Sequence, residues 1–426
     1  MGSILLKNIL LDGEAVDIRI SGKYISEITK VSSCGENGAS GNASGVEVVD
    51  CTGKRAFPGL VNMHTHAAMS LMRGIGEDIL FKDWIARIWE VESDLDEEFV
   101  YWGTKAACLE MLKTGTTTFN DQYWFSPTAH KAAVEMGLRP AVSYVVLDHH
   151  DPEEAQRQKE QCLRMYEQSL QWPDNSKFVM AFHSVYSVSE EMMLWSAEFA
   201  REHSLKLHIH LCETENEVKE CHAKHGMSPV KYLDSLGILG PDVIAAHTLW
   251  LSDEDIEILG RNQVSCVHNI NSNLKLASGY RFKYNELRDA GANVCLGTDG
   301  CASSNNLDMF EAMKTSAIVQ KAWRNDPMAM PLDELVDMAT VNGAKALGLN
   351  VGKIEPGALA DILVINTDNT FFLSPGPFLA NLIYSAHSDC VESVICNGRF
   401  VMKERKVKGE AEILRNAAAM FSRLHL

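Results

Sequence analysis

Phe57-Pro58-Gly59-Leu60-Val61-Asn62-Met63-His64-Thr65-His66 is the stretch that decides the fold. An apolar run ends in a His-x-His pair, and the small or mobile residues Ala67, Ala68 and Met69 follow. Residues i and i+2 of a strand share a face, so both imidazoles project together from one strand end. That is half of a divalent metal site. Two unrelated loop histidines would show the same spacing. However, three further strand-like runs end in the same kind of residue, at His210, His247 and Asp299. The chain reads as built to bring four strand ends to one metal.

Outward from this stretch, residues 57 to about 345 alternate short apolar runs with longer helical ones. The expected strands are Phe57–His64, Thr116–Asn120, Ala141–Leu147, Phe178–Ser184, Leu205–Leu211, Val243–Leu249, Val264–Asn269 and Asn293–Thr298. Helical periodicity is visible in Glu97–Lys113, Pro152–Leu170, Glu190–Glu202, Ser228–Leu236, Ser252–Gly260 and Leu307–Ala322. Eight β-then-α units predict an α/β protein with a (β/α)8 barrel over 57–350, its active site at the C-terminal strand ends. The alternative, a doubly wound open sheet, lacks a Gly-x-Gly-x-x-Gly after any strand.

Both chain ends carry shorter strand patterns. Residues 3–31 alternate, with turns at Asp12-Gly13 and Ser21-Gly22, and Val46–Val49 is a further strand. The Ser-, Gly- and Asn-rich residues 32–45 read as a surface loop. After Gly352 come strands at 360–365, Val391–Cys396 and Arg399–Lys403, with Asn397-Gly398 as a tight hairpin turn. The expectation is a small β-sandwich domain made from 1–56 and 351–408, followed by a C-terminal helix in 409–426.

Composition narrows the partners. Hydrophobic residues make up 46% and charged residues 23%, as in a globular protein with a sizeable core. A net charge of −18 without a basic block argues against nucleic acid and anionic membrane. No apolar run approaches the ~20 residues of a membrane span. The eleven cysteines include no Cys-x-x-Cys pair and no secretory h-region precedes them, which implies a reduced, cytoplasmic protein. A small-molecule substrate is the expected partner, and a homo-oligomer is compatible with all of this.

The candidate ligands divide by position. In Leu205-Lys206-Leu207-His208-Ile209-His210-Leu211-Cys212-Glu213, His208 and His210 share a face, and His210 is nearer the rim. His208 therefore reads as a buried, hydrogen-bonded histidine. Glu213 lies just past the strand, where a carboxylate reaches a water or a substrate. Three histidines and Asp299 leave an open position, as a catalytic site requires. A divalent ion so held lowers the pKa of water from about 15.7 to about 7. Strand four ends Ala181-Phe182-His183-Ser184 without a bridging lysine, which favours one ion.

These residues carry a resemblance. The series from Pro58 to His66, His210-Leu211-Cys212-Glu213-Thr214, Ala245-Ala246-His247 and Leu296-Gly297-Thr298-Asp299-Gly300 resembles the amidohydrolase superfamily. Within it the chain is most similar to the deaminases of 5-methylthioadenosine and S-adenosylhomocysteine. Further marks are Leu71-Met72-Arg73-Gly74, Trp84, His268-Asn269 and Asn271-Ser272-Asn273-Leu274-Lys275-Leu276. The resemblance implies His64, His66, His210 and Asp299 as ligands of one divalent ion, zinc first and iron second. It implies Glu213 and His247 as the acid/base pair, assisted by Asp299. Glu92 is implied as the ribose carboxylate, His183 as a contact to the base, and Trp84 as a further substrate contact. Tyr144 stands where members that grip the homocysteine carboxylate carry Arg. Arg157 is the candidate replacement for that clamp.

The implied activity is hydrolytic deamination of an adenine nucleoside: 5-methylthioadenosine, S-adenosylhomocysteine, 5′-deoxyadenosine or adenosine. Tyr144 turns the choice toward an uncharged 5′ group. The same scaffold also serves aminohydrolases and chlorohydrolases acting on guanine, 8-oxoguanine or s-triazines. A barrel kept only as a scaffold would have no need of every ligand and of Glu213. The His-x-Glu and Pro-Cys-x-x-Cys pattern of cytidine-type deaminases is missing.

Overall fold

The computed structural model describes residues 2–31 and 45–424. Of the expected surface loop, residues 32–44 lie outside the described residues, as does Cys34.

Eight parallel strands follow one another in sequence order around a barrel. They are Leu60–Thr65, Thr116–Tyr123, Arg139–Val146, Lys177–Phe182, Leu207–Leu211, Val243–His247, Ser265–His268 and Asn293–Leu296. The first and last meet at the seam, where the Thr298 and Asp299 N–H groups donate to the His64 carbonyl at 3.2 and 2.9 Å. The helices of the outer layer begin where side chains cap them. Asp96, Asp151 and Ser189 accept from the first-turn N–H groups of Glu97–Lys113, Pro152–Ser169 and Glu190–Glu202. Inside the barrel, Val61, Met63, Ala141, Val179, Ile244, Val267 and Cys295 pack against Ala344, Ala346 and Leu347. That packing closes the N-terminal end of the barrel, and the cavity lies at the other.

The strand expected over Phe57–His64 is two strands. Lys54–Pro58 pairs antiparallel with Ile362–Asn366 in a second sheet, and Leu60–Thr65 enters the barrel. Gly59 makes the crossing, because a Cβ there would sit 2.3 Å from Thr117 Oγ1. The period of alternation does not break at this point, so the sequence gives no sign of the transfer.

The second sheet joins both chain ends in the order Arg399–Met402, Val391–Cys396, Ile362–Asn366, Lys54–Pro58, Ser3–Leu11, Glu14–Ser21 and Tyr24–Lys30. Val46–Asp50 also pairs with Ser3–Leu11. The two chain ends thus build one small β domain, as expected, its strands hydrogen-bonded in one continuous sheet. Its two halves share a core, with Ile18, Ile20 and Ile25 from one end and Ile362, Val364 and Ile395 from the other. Both residues of Asp12-Gly13 and of Asn397-Gly398 have positive φ, as two-residue hairpins matching strand twist require. The C-terminal helix, Glu410–Phe421, buries Ile413, Ala417 and Met420, one face at i, i+4 and i+7. Among the described residues, no helix is long and apolar enough to cross a membrane.

Candidate active site at the barrel mouth

His64, His66, His210, His247 and Asp299 meet at the C-terminal ends of the first, fifth, sixth and eighth strands. The nitrogens of His64, His66 and His210 lie within 4.8 Å of one another, and so do the ligand atoms of His64, His247 and Asp299. Asp299 Oδ1 is 3.4 Å from His64 Nε2 and 3.3 Å from His66 Nε2. His247 and Asp299 have left-handed backbones, with φ of 72° and 63°, an uncommon state for residues other than glycine. Gly300 lets the eighth-strand loop approach His66, whose Cβ would lie 3.0 Å from a Cβ placed there.

The hydrogen bonds fit these residues to a metal ion. His66 Nδ1–H donates to the Gln122 carbonyl at 2.6 Å and His210 Nδ1–H to the His183 carbonyl at 2.9 Å. With Nδ1 engaged as a donor, Nε2 is the atom each ring leaves to bind a metal. His64 Nδ1 is hydrogen-bonded to His208 Nε2 at 3.0 Å, and its own buried Nε2 makes no well-formed hydrogen bond. Burial pushes the His64 pKa down to about 4 and that of His210 well below its ordinary value. Neutral imidazole is the form a divalent ion needs. Burial opposes ionisation of Asp299, yet the histidines around it hold its carboxyl well below the usual range. Ser272 Oγ donates to Asp299 Oδ2 at 2.6 Å. His208 orients His64 from behind, the hydrogen-bonded role expected of it.

Glu213 and His247 face each other, with Oε2 3.7 Å from Nε2. Burial raises the Glu213 pKa, and Asp299 adds to this against the opposing pull of His247. Burial disfavours protonated His247, but Glu213 and Asp299 together lift its pKa above the ordinary value. Its Nδ1–H donates to Asn273 Oδ1 at 2.8 Å. Ser272 and Asn273 both come from the short helix Ile270–Lys275 after strand seven. They belong to a motif quoted above for the resemblance alone.

The cavity above these groups is walled on one side by the helix Phe81–Glu92. Phe81, Trp84, Ile85, Ile88, Trp89 and Glu92 line it, a single face at helical spacing. Trp84 is held by its Nε1–H, which donates to the Ala302 carbonyl at 3.3 Å. Glu92 accepts from Tyr123 Oη at 2.7 Å, and burial pushes its pKa up to about 8. His183 also lines the cavity; its Nδ1 is hydrogen-bonded to Ser187 Oγ at 2.7 Å, and burial lowers its pKa to about 3.

Tyr144 is not brought there. Its neighbour Val145 lines the cavity, so alternation along the strand turns Tyr144 outward. It is 1% exposed and its Oη donates to Gln161 on the helix Pro152–Ser169. Arg157 is on the same helix, paired with Glu154. Sequence reasoning missed Trp89, Tyr123 and Tyr186, which line the cavity. Each is an aromatic beside a polar residue, Glu90, Gln122 and Ser187 in turn, with no motif to mark it.

The family model for the amidohydrolase family matches residues 55–401. The chain belongs to that family. It is 46% identical to the 5′-deoxyadenosine deaminase of Methanoregula boonei over 88% of this chain and 86% of that one. It is 41% identical to the 5-methylthioadenosine/S-adenosylhomocysteine deaminase of Thermococcus sibiricus, over 94% of each. Among solved structures, an adenosine deaminase from Xanthomonas campestris with bound zinc superposes with a TM-score of 0.89 at 29% identity, covering 99% of this chain and 98% of that one. As an amidohydrolase, the protein uses a divalent metal, and its His and Asp cluster is suited to hold it.

Proposed function

We propose that this amidohydrolase removes the 6-amino group of an adenine nucleoside by hydrolysis, releasing ammonia and the inosine analogue. The observation that carries the reading is the Glu213–His247 pair, 3.7 Å apart beside the His and Asp cluster. His64, His66, His210 and Asp299 would hold the ion, which when bound makes water acidic enough to serve as hydroxide near neutral pH. Glu213 takes the water proton and passes it to the ring nitrogen, while Asp299 and His247 orient the attack. The proton of the hydroxyl added to the ring carbon then passes to the amine, the carbonyl forms as the C–N bond breaks, and ammonia leaves. Glu92 receives the ribose hydroxyls, and His183, a neutral imidazole, contacts the base. Trp84 supplies part of the apolar wall.

Support for an uncharged 5′ substituent comes from the cavity rather than from Tyr144. Its lining among the described residues includes Glu92, Glu213 and Asp299 but no lysine or arginine. A carboxylate-bearing tail would find no guanidinium to clamp it. 5′-Deoxyadenosine, methylthioadenosine or adenosine should therefore match or exceed S-adenosylhomocysteine in kcat/KM. The test is competition between methylthioadenosine and S-adenosylhomocysteine, within a panel that adds adenosine, 5′-deoxyadenosine, guanine and a chlorotriazine. Strong preference for S-adenosylhomocysteine would overturn the tail assignment, and efficient turnover of guanine or the triazine would overturn the nucleoside reading.

The metal is assigned as one zinc ion per chain. Three imidazoles and a carboxylate suit zinc, with ferrous iron as the alternative, and the Xanthomonas campestris relative binds zinc. Strand four ends at Phe182 and is followed by His183, with no lysine to bridge a second ion. Metal analysis of active protein should return one ion per chain. Two tightly held ions, both needed for activity, would contradict this. The ten free cysteines among the described residues are all buried, which supports a reducing, cytoplasmic setting. We take 57–350 as the catalytic domain, 1–56 with 351–408 as a discontinuous β domain, and 409–426 as an appended helix.

A further inference from the structure

We infer that Glu217 is a positioning residue for the deamination, its carboxylate fixing the turn that aims Glu213 into the cavity. The fifth strand ends at Leu211, and Cys212 follows in a left-handed conformation with φ of 54°. The helix Glu215–His225 then begins at the cap Thr214, whose side chain accepts from the Glu217 N–H at 3.1 Å. Thr214-Glu215-Asn216-Glu217 has the form of a capping box, in which the Glu at the third helical position would accept the N–H of the cap residue itself. Here Glu217 reaches past the cap. One oxygen takes the Cys212 N–H and the other the Glu213 N–H, each at 2.8 Å.

Capping the helix does not require those two bonds; holding the Cys212–Glu213 backbone does. The same turn is tied to the segment after His247, because the Leu249 and Trp250 N–H groups donate to the Cys212 carbonyl at 3.1 and 3.0 Å. The separation of Glu213 from His247 thus depends on a turn whose inner N–H groups Glu217 holds. Glu217 is 4% exposed, and placing a second buried carboxylate so near Glu213 is electrostatically unfavourable. Burial, with the charge of Glu213 added, pushes its pKa up to about 7. Two backbone donors on one carboxylate are the strong, charge-assisted kind that offset this.

The inference rests on the deaminase reading, whose failure would show in the parent enzyme as no ammonia release. The present one is tested in variants. Glu217→Gln replaces one acceptor with a donating amide, so one of the two N–H groups loses its partner. Glu217→Asp keeps both oxygens but shortens their reach. Folded, metal-loaded Glu217→Gln should lose about 10- to 100-fold in kcat with KM and metal content unchanged. Affinity for a nucleoside analogue with a tetrahedral, hydroxyl-bearing ring carbon should fall by the same factor, while affinity for the deaminated product stays constant. A merely structural role would lower Tm without dividing analogue from product. A kcat near the parent's, a loss matched by loss of metal, or a raised KM at unchanged kcat would overturn the inference. If Glu217→Gln does not fold, Glu217→Asp is judged by the same criteria. Failure of both to fold makes Glu217 structural and overturns it too.

Discussion

Glu213→Gln retains its metal and loses turnover by about 10²–10⁴-fold, the usual contribution of a positioned proton-transfer group. The substitution preserves size and the contact with Ser278 Oγ, 3.5 Å from Oε1 in the parent. The capacity to carry a proton is removed, together with the charge that helps lift the His247 pKa. Because Glu213 is separate from the proposed ligand set, metal content should equal the parent's. Its pKa, raised chiefly by burial, makes the carboxylate a better proton acceptor than an exposed one. Metal analysis alongside ammonia release is the check. A metal-replete variant within a few-fold of the parent rate would reassign the proton transfer.

Free adenine should be turned over about 10⁴-fold less efficiently than the nucleoside, the discrimination seen where a site is built to bond a substrate hydroxyl. The base alone leaves Glu92 with Tyr123 Oη as its hydrogen-bond partner and no ribose hydroxyl to bind. Glu92 is pushed up to about 8 by burial, so the empty site holds it largely protonated at neutral pH. The carboxylate is the form that accepts from both ribose hydroxyls. Raising the pH through about 8 therefore fills the binding-competent form, and kcat/KM for the nucleoside should climb across that interval. Glu92→Gln should abolish that limb, and Glu92→Ala should narrow the gap between adenosine and 2′-deoxyadenosine. Adenine turned over as well as adenosine, or an unchanged pH profile in Glu92→Gln, would remove Glu92 from substrate binding.

The fold was largely legible because each signal was local. A His-x-His pair at the end of an apolar run, repeated strand-end residues and β-then-α spacing all survive in one dimension. The barrel follows from them. What was hidden depends on which way a residue turns once packed. Tyr144 and Val145 are equally apolar in the sequence, and strand parity alone sends one to the helix layer and the other to the cavity. The face of Phe81–Glu92 carries the spacing of an ordinary core helix, although it borders a ligand-sized space. Glu217 carries no signal in the sequence, because its two partners are set by the left-handed turn at Cys212. Gly59 carries the chain from one sheet to the next with no change in alternation.

The seam of the barrel has a consequence for how the protein is made. The His64 carbonyl is bound by the N–H groups of Thr298 and Asp299, so residues far apart in the chain must meet before the ligand cluster exists. Contacts of such long sequence separation form only after their loop-closure entropy has been met, and so belong to the late part of folding. A ribosome delivers His64 and His66 early, His210 and His247 later, and Asp299 last. During synthesis the partial cluster is two, then three, then four imidazoles without their carboxylate. The proposed ligand set is thus complete only once Asp299 has joined the histidines, in the finished polypeptide rather than in the emerging one.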